Sequence, residues 1–290
     1  MSVVAIIDFD RTGAAIGSRL GDASTPMLRV DDLGPTRGDG VFETASLVHG
    51  KVQAIEAHLA RFVQSAAMLE LPRPDVEIWR DAVQAVAASL TSRGVAFGSL
   101  KFVLTRGVEG SGVPTGWVLG TESPDFTRER TDGIRVVLLD RGYRHDVPQT
   151  APWLLAGAKT LSYAVNRAAQ REAARRGGDD VLFVSSDGYL LEGPTSSLLL
   201  RMGSRLVTPR IDLGILAGTT QADLFSWAEA SGYATGYELL TPDDLERADA
   251  AWLVSSVRHV APVRSVDGRH RAVDDELTGR LNAALDARTN

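Results

Sequence analysis

The stretch Trp153-Leu154-Leu155-Ala156-Gly157-Ala158-Lys159-Thr160-Leu161 sets a lysine inside an apolar run, with no other charge between Asp146 and Arg167. Lysine is scarce in this chain: of 31 basic residues, only Lys51, Lys101 and Lys159 carry an amine side chain. Lys51 follows the turn pair His49-Gly50, and Lys101 stands in a strand pattern where a solvent-facing position is expected. A lysine among apolar neighbours is either snorkelling or kept for its amine. Desolvation disfavours the ammonium form and so makes the free amine available as a nucleophile.

Working outward, the order of elements predicts an α+β protein of two domains. Val41–Val48 and Lys51–Ile55 read as a hairpin across His49-Gly50. Apolar residues at 59, 62, 63, 66, 67 and 69 have helical spacing, which Pro72 and Pro74 end. Asp75 then caps a second helix to about Leu90. A strand over 99–105, a Gly-rich loop and a partner strand at 117–119 follow. The polar, aperiodic stretch 121–132 is the linker candidate. The expected organisation is therefore an N-terminal domain over 1–121, a linker over 122–132 and a C-terminal domain over 133–290. The second domain reads as a strand at 134–140, a helix from about Ser162 to Arg176 and a hairpin of 181–185 with 189–191. Further strands are expected at 197–201, 206–208 and 251–255. Helices are expected after Gly218 and Pro242 and over about 274–287.

Composition removes whole classes of chemistry. With no cysteine among 290 residues, disulfides, zinc–thiolate sites and cysteine nucleophiles are excluded. The absence also fits a reducing cytoplasm. The formal charge of −6 argues against a general nucleic-acid coat. The five histidines show no short metal-ligand spacing, so no metal is expected. The N-terminal MSVVAIIDFDRTG lacks a basic leader and no apolar run is membrane-length, so neither a signal peptide nor a membrane span is expected.

Three further features could join Lys159. Glu192 ends the apolar run Tyr189-Leu190-Leu191 and precedes Gly193-Pro194-Thr195-Ser196-Ser197: an ordinary strand-end acid, or a carboxylate for a cationic ring nitrogen. Gly218-Thr219-Thr220 opens a helix: a plain N-cap, or an anion site at the positive end of the dipole. Arg61 lies on the first long helix, as a solvated residue or as a counter-charge to that anion. An amine, an acid, a helix-start anion site and an arginine together match the needs of pyridoxal phosphate.

With these residues in hand the chain resembles the fold-type IV pyridoxal-phosphate enzymes, the aminotransferase class IV family. The resemblance is carried in order by Arg37-Gly38-Asp39-Gly40-Val41-Phe42-Glu43-Thr44, His58-Leu59-Ala60-Arg61-Phe62, Ala158-Lys159-Thr160-Leu161-Ser162-Tyr163, Leu191-Glu192-Gly193-Pro194-Thr195-Ser196, Gly214–Thr220 and Trp252–Val263. It implies a small N-terminal α/β domain, a larger C-terminal pseudo-barrel domain, a cofactor in the cleft and a homodimer. It implies that Lys159 holds pyridoxal 5′-phosphate and shuttles the proton, and that Glu192 pairs with the pyridine nitrogen. Arg61, Gly218, Thr219, Thr220 and Ser256 would bind the phosphate, and Thr195 and Ser196 would flank the ring.

The family contains lyases and transaminases. Members that act on D-amino acids carry a basic residue in the loop after Thr-Arg-Gly, whereas here Thr105-Arg106-Gly107 is followed by Val108-Glu109-Gly110-Ser111-Gly112-Val113. The stretch Ser255-Ser256-Val257-Arg258 is similar to the lyase pattern, with Ser255 where some lyases have Asn. The expectation is a 4-amino-4-deoxychorismate lyase giving pyruvate and 4-aminobenzoate, a folate precursor, with Arg106 or Arg258 binding substrate carboxylates. The alternatives are a transaminase for D- or branched-chain amino acids, and a binding or scaffolding protein that keeps the fold.

Overall fold

A computed structural model describes residues 2–288, which form two compact units. One comprises residues 2–124 and 158–163 with Arg288; the other comprises 125–157 and 164–287. The α+β class read from the sequence is the fold observed.

The first unit is built from β1 (Ser2–Phe9), β2 (Ala15–Gly21), α1 (Leu33–Arg37), β3 (Gly40–Val48), β4 (Lys51–Val52), α2 (Ile55–Met68), α3 (Val76–Ser92), β5 (Phe97–Thr105) and β6 (Thr115–Glu122). Among the described residues its strands make an antiparallel sheet in the order β2-β1-β6-β5-β3-β4. Asp75 caps α3 as the sequence indicates, its carboxylate accepting from the Glu77 and Ile78 amides. Alternation along β5 sends Leu100, Phe102 and Leu104 to one face, where all three are fully buried. Phe102 meets Phe62 of α2 edge-on at 5.2 Å, and Phe62 meets Trp79 of α3 at 4.8 Å. This aromatic contact fixes both helices to the sheet.

The second unit contains α4 (Thr127–Thr131), β7 (Ile134–Asp140), α5 (Val147–Thr150), α6 (Ala164–Arg175), β8 (Asp180–Val184), β9 (Ser197–Met202), β10 (Arg205–Pro209), α7 (Thr219–Ala230), β11 (Ala234–Glu238), α8 (Pro242–Arg247), β12 (Ala250–Ser255), β13 (His259–Val266), β14 (Arg269–His270) and α9 (Asp275–Asp286). Among the described residues its sheet runs β11-β10-β9-β12-β13-β7-β8, with β14 on β13. The sheet is mixed: β10 with β11, β13 with β7 and β7 with β8 are parallel. Leu199, Leu206, Trp252, Val254 and Val260 pack against Leu224, Phe225, Leu277 and Leu281 of α7 and α9.

Some expectations change. The run 189–191 is not a strand: it makes an isolated bridge between Val184 and Leu190, because Gly193 and Pro194 turn the chain at once. The strand expected at 251–255 is β12, and it forms a hairpin with β13 around the turn Ser256–Arg258. The polar segment 121–132 includes the end of β6 and the short α4. Strands β2, β11 and β13 and helix α1 were not evident from periodicity.

Trp79 is fully buried. Replacing it with alanine opens a cavity between Phe62 and Phe102 and should destabilise the protein by about 3–5 kcal/mol. A urea titration should show the midpoint falling at an unchanged slope.

Candidate active site

The first unit's polar centre starts from a carboxylate in a buried strand. Glu43 lies mid-way along β3 and is fully buried. Helix α2 faces it with His58 and Arg61, three residues apart and so on one side of the helix. Arg61 grips the carboxylate with two bonds, Nε to Oε1 at 2.5 Å and Nη2 to Oε2 at 2.8 Å. His58 Nδ1 lies 2.8 Å from Oε2. Burial alone would keep Glu43 protonated. The charge and hydrogen bonds of Arg61, with the His58 bond, outweigh it and hold the carboxyl far below its usual range. His58 is pushed the other way: burial lowers its pKa, and the charges of Arg61 and Lys159 add to that against the pull of Glu43.

Lys159 belongs to this unit. Its amide donates to Ser65 Oγ at 3.1 Å, one turn beyond Arg61 on α2. The Phe42 amide donates to the Lys159 carbonyl at 3.0 Å, and Leu161 N–H to Gly40 O at 2.8 Å. The segment thus lies along β3, with Val41 bridged to Thr160. Gly40 makes this approach feasible: a Cβ there would sit 2.7 Å from Leu104 O and 2.8 Å from Leu161 Cδ1. The Lys159 amine nitrogen is 4.6 Å from the centroid of the Phe42 ring, against which Tyr163 packs edge-on at 5.3 Å. Lys101, expected to face solvent, is instead half-buried and also 4.6 Å from that centroid.

In the second unit Glu192 is half-buried beside β8, its carbonyl accepting from the Phe183 amide at 2.9 Å. Asn166 Nδ2 donates to Pro194 O at 2.8 Å and holds the turn that follows. Thr195 is exposed; Ser196 is buried, and among the described residues its hydroxyl has no hydrogen-bond partner. Gly218 stands at the N-cap of α7 and supplies no side chain to cap it. A Cβ at this position would overlap Ser197 Oγ. Thr219, Thr220 and Gln221 are buried in the first turn, and Thr220 Oγ1 lies 3.2 Å from Ser256 Oγ. Gln221 Nε2 is also buried without a partner among the described residues. Donors at an uncapped helix start, with orphaned polar atoms beside them, suit an anionic ligand such as a phosphate.

The two arginines read as carboxylate ligands are both engaged. Arg106 gives Nε and Nη2 to Asp39 at 2.6 and 3.2 Å, and donates to the carbonyls of Leu69 and Glu70 at 2.7 and 3.2 Å. Arg258 donates Nη1 to buried Asp180 at 2.8 Å. Arg130 braces the same turn through the carbonyls of Arg258 and Val257 at 2.7 and 3.1 Å.

Residues 40–266 match the model of the amino-transferase class IV family. The chain belongs to the aminotransferase class IV family. It is 43% identical over 252 residues to the bifunctional aminodeoxychorismate lyase / D-amino acid transaminase of Mycobacterium tuberculosis, covering 84% of this chain and 87% of that one. The fold IV-transaminase CpuTA1 from Curtobacterium pusillum superposes over 100% of both chains with a TM-score of 0.95 and 53% identity. A hypothetical aminotransferase from M. tuberculosis, solved with alpha-ketoglutarate and PMP, gives a TM-score of 0.92 at 40% identity over 98% of this chain and 99% of that one. The chain is a pyridoxal-phosphate enzyme of the class IV kind. Among the described residues there is no group of three or more acidic or histidine side chains placed to hold a metal, and no helix is long and apolar enough to cross a membrane.

Sequence reading passed over Glu43 and His58 as site residues although both lie in the quoted motifs. The available signal was a lone acid inside a strand of Val, Phe and Ala, and a His and an Arg three apart on the next helix. A charge in such a strand needs a partner close by.

Both shifts make the protein acid-labile. The unfolded chain protonates histidine below about 6.5 while the folded His58 resists, so stability begins to fall there. Glu43 contributes stability above its ordinary value of 4.5, which is lost as pH falls below it. Glu43→Gln removes the buried charge that Arg61 grips and should cost about 3–5 kcal/mol at neutral pH. It should also flatten the stability profile below pH ~4.5. Chemical denaturation across pH 3–8 checks both.

Proposed function

We propose that the chain is a 4-amino-4-deoxychorismate lyase that releases pyruvate and 4-aminobenzoate. The observation that carries this reading is the placement of Lys159, its backbone latched to β3 and α2 and its amine laid on the Phe42 ring. A lysine fixed in this way suits repeated proton transfer at one carbon. Bound pyridoxal phosphate supplies an aldehyde for the substrate's amine and a sink for the electrons left when a proton departs. Lys159 takes the proton from the ring carbon that bears nitrogen. Pyruvate then leaves, and the ring becomes aromatic. Glu192 holds a proton on the pyridine nitrogen. Arg61, oriented by Glu43, binds the phosphate with Gly218, Thr219, Thr220 and Ser256, while Thr195 and Ser196 flank the ring.

The substrate side favours elimination over D-amino-acid transfer. The loop Val108–Val113 contains no basic residue, and Arg106 before it is tied to Asp39 and two carbonyls. A second reading, transfer of amino groups from D-amino acids, is supported by the double name of the 43% relative and by the transaminase at 53% identity. Branched-chain transfer has less support, because Ser255-Ser256-Val257-Arg258 replaces the Gly-Thr-rich loop of such enzymes. The family resemblance also supports a homodimer, which a solution mass measurement would test.

Lys159→Ala should lose turnover by at least a hundredfold, since it removes both the anchoring amine and the proton carrier. Borohydride should fix the cofactor on Lys159; fixation on Lys51 or Lys101 would refute the assignment.

The lyase needs one substrate, because elimination restores the cofactor. A transaminase needs an acceptor keto acid and shows ping-pong kinetics. The expected result is 4-aminobenzoate and pyruvate from aminodeoxychorismate with no keto acid present. Amine transfer between D-amino acids and keto acids without any 4-aminobenzoate would replace the first reading by the second.

A further inference from the structure

The turn Ser256–Arg258 is tight, and its first residue carries a hydroxyl toward the start of α7. Ser255 pairs with His259 across the turn. His259 is fully buried at a φ of 63°, a left-handed value that a non-glycine residue keeps only where its surroundings hold it. Ser256 Oγ lies 3.2 Å from Oγ1 of Thr220, in the first turn of α7.

Two arginines fix this turn. Arg130 of α4 donates Nε to the Arg258 carbonyl at 2.7 Å and Nη2 to the Val257 carbonyl at 3.1 Å. It is half-buried, and burial disfavours its charge more than Asp286 and Asp125 favour it. What the guanidinium gains in this place is the fork on two carbonyls. Arg258 runs from the turn to Asp180 at the start of β8, with Nη1 2.8 Å from Oδ2. Asp180 is itself fixed, since its Oδ1 accepts from the Val181 amide at 2.9 Å. Arg258 Nε and Nη2 are closed off from solvent, with no hydrogen-bond partner among the described residues. A charge shut in beside its one counter-ion acts as a tether, because separating the pair would strand both. All these groups belong to the second unit.

A hydroxyl serves a phosphate only at the right distance and angle, because hydrogen bonds weaken steeply off-line. The serine side chain is too short to correct an error in its own backbone, so the backbone must be held. We infer that Arg130, seconded by the Arg258–Asp180 pair, is a positioning residue for phosphate binding: it fixes the turn so that Ser256 Oγ stays beside Thr220. Arg130 acts through Ser256 and not by adding its own charge to the site. The inference rests on the reading above in that Ser256 and Thr220 receive the cofactor's phosphate; it is indifferent to which reaction follows.

The test titrates pyridoxal 5′-phosphate into the whole chain freed of cofactor, following visible absorption. Ser256→Ala should raise the dissociation constant about ten- to a hundredfold, the value of one hydrogen bond to a charged group. Arg130→Ala should raise it about tenfold, and in the Ser256→Ala background it should add less than about twofold. Pyridoxal, which lacks the phosphate, is the control: its constant should stay within about twofold in Arg130→Ala. Arg130→Lys keeps the charge and gives up the fork, so it should retain most of the loss, and it carries the test if the alanine variant does not fold. In the holoenzyme, the phosphorus-31 resonance of the bound cofactor should move in the same direction in Arg130→Ala as in Ser256→Ala. Additive losses in the double variant, full rescue by lysine, or equal losses for pyridoxal and its phosphate overturn the inference. A loss in Ser256→Ala with none in either Arg130 variant overturns it alone. An unchanged constant in Ser256→Ala overturns it together with the phosphate role of Ser256.

Discussion

The buried pairing of Glu43 with Arg61 is the constraint on which the first unit's polar centre depends. A strand with both faces buried does not carry a charge without immediate compensation. Helix α2 provides it from one face, with His58 completing the carboxylate's bonds. The same face presents Ser65 to the Lys159 amide. One helix orientation, set by Phe62 against Phe102 and Trp79, therefore determines the position of the guanidinium and of the lysine backbone together. Apolar packing here sets the geometry of a charged site, and the ion pair in turn makes any other rotation of α2 costly.

Much of this was legible in the chain itself. Lys159 stood out because lysines are scarce and its surroundings apolar, and Gly218-Thr219-Thr220 because a glycine and two hydroxyls open a helix. Helix α3 was marked by its Asp75 cap and the hairpin β3–β4 by its Gly50 turn. What stayed hidden depends on partners distant in sequence. Glu43 gains meaning from a helix that begins a dozen residues later, and Lys101 from a ring across the sheet. Strand β13 stayed hidden because the hydroxyl-rich turn before it masks the start of the strand. The run 189–191 has a strand's composition, but the Gly-Pro turn beyond it cuts its pairing with residues 183–185 to a single bridge.

The engagement of the arginines shows how an abundant residue is used here. Arg106 joins α1's neighbour Asp39 to the end of α2, Arg130 braces the turn after β12, and Arg258 neutralises Asp180. The planar, permanently charged forks of Arg106 and Arg130 each serve more than one acceptor. Lysine makes a poorer clamp, and its amine can lose its charge. Two of the three lysines, Lys101 and Lys159, lie at the Phe42 ring, apart from the arginines that hold the fold.

The Lys159 segment has a kinetic consequence. Its backbone is hydrogen-bonded on both sides, to β3 and to Ser65, while the side chain extends from it over an aromatic surface. On the proposed roles of Lys159, moving the amine between anchoring and proton carrying would need only rotation about side-chain bonds, which takes picoseconds to nanoseconds, and no loop rearrangement on the microsecond scale. The lysine is a short arm on a fixed rail, and in the proposed reaction its proton transfer would not wait on motion of the chain.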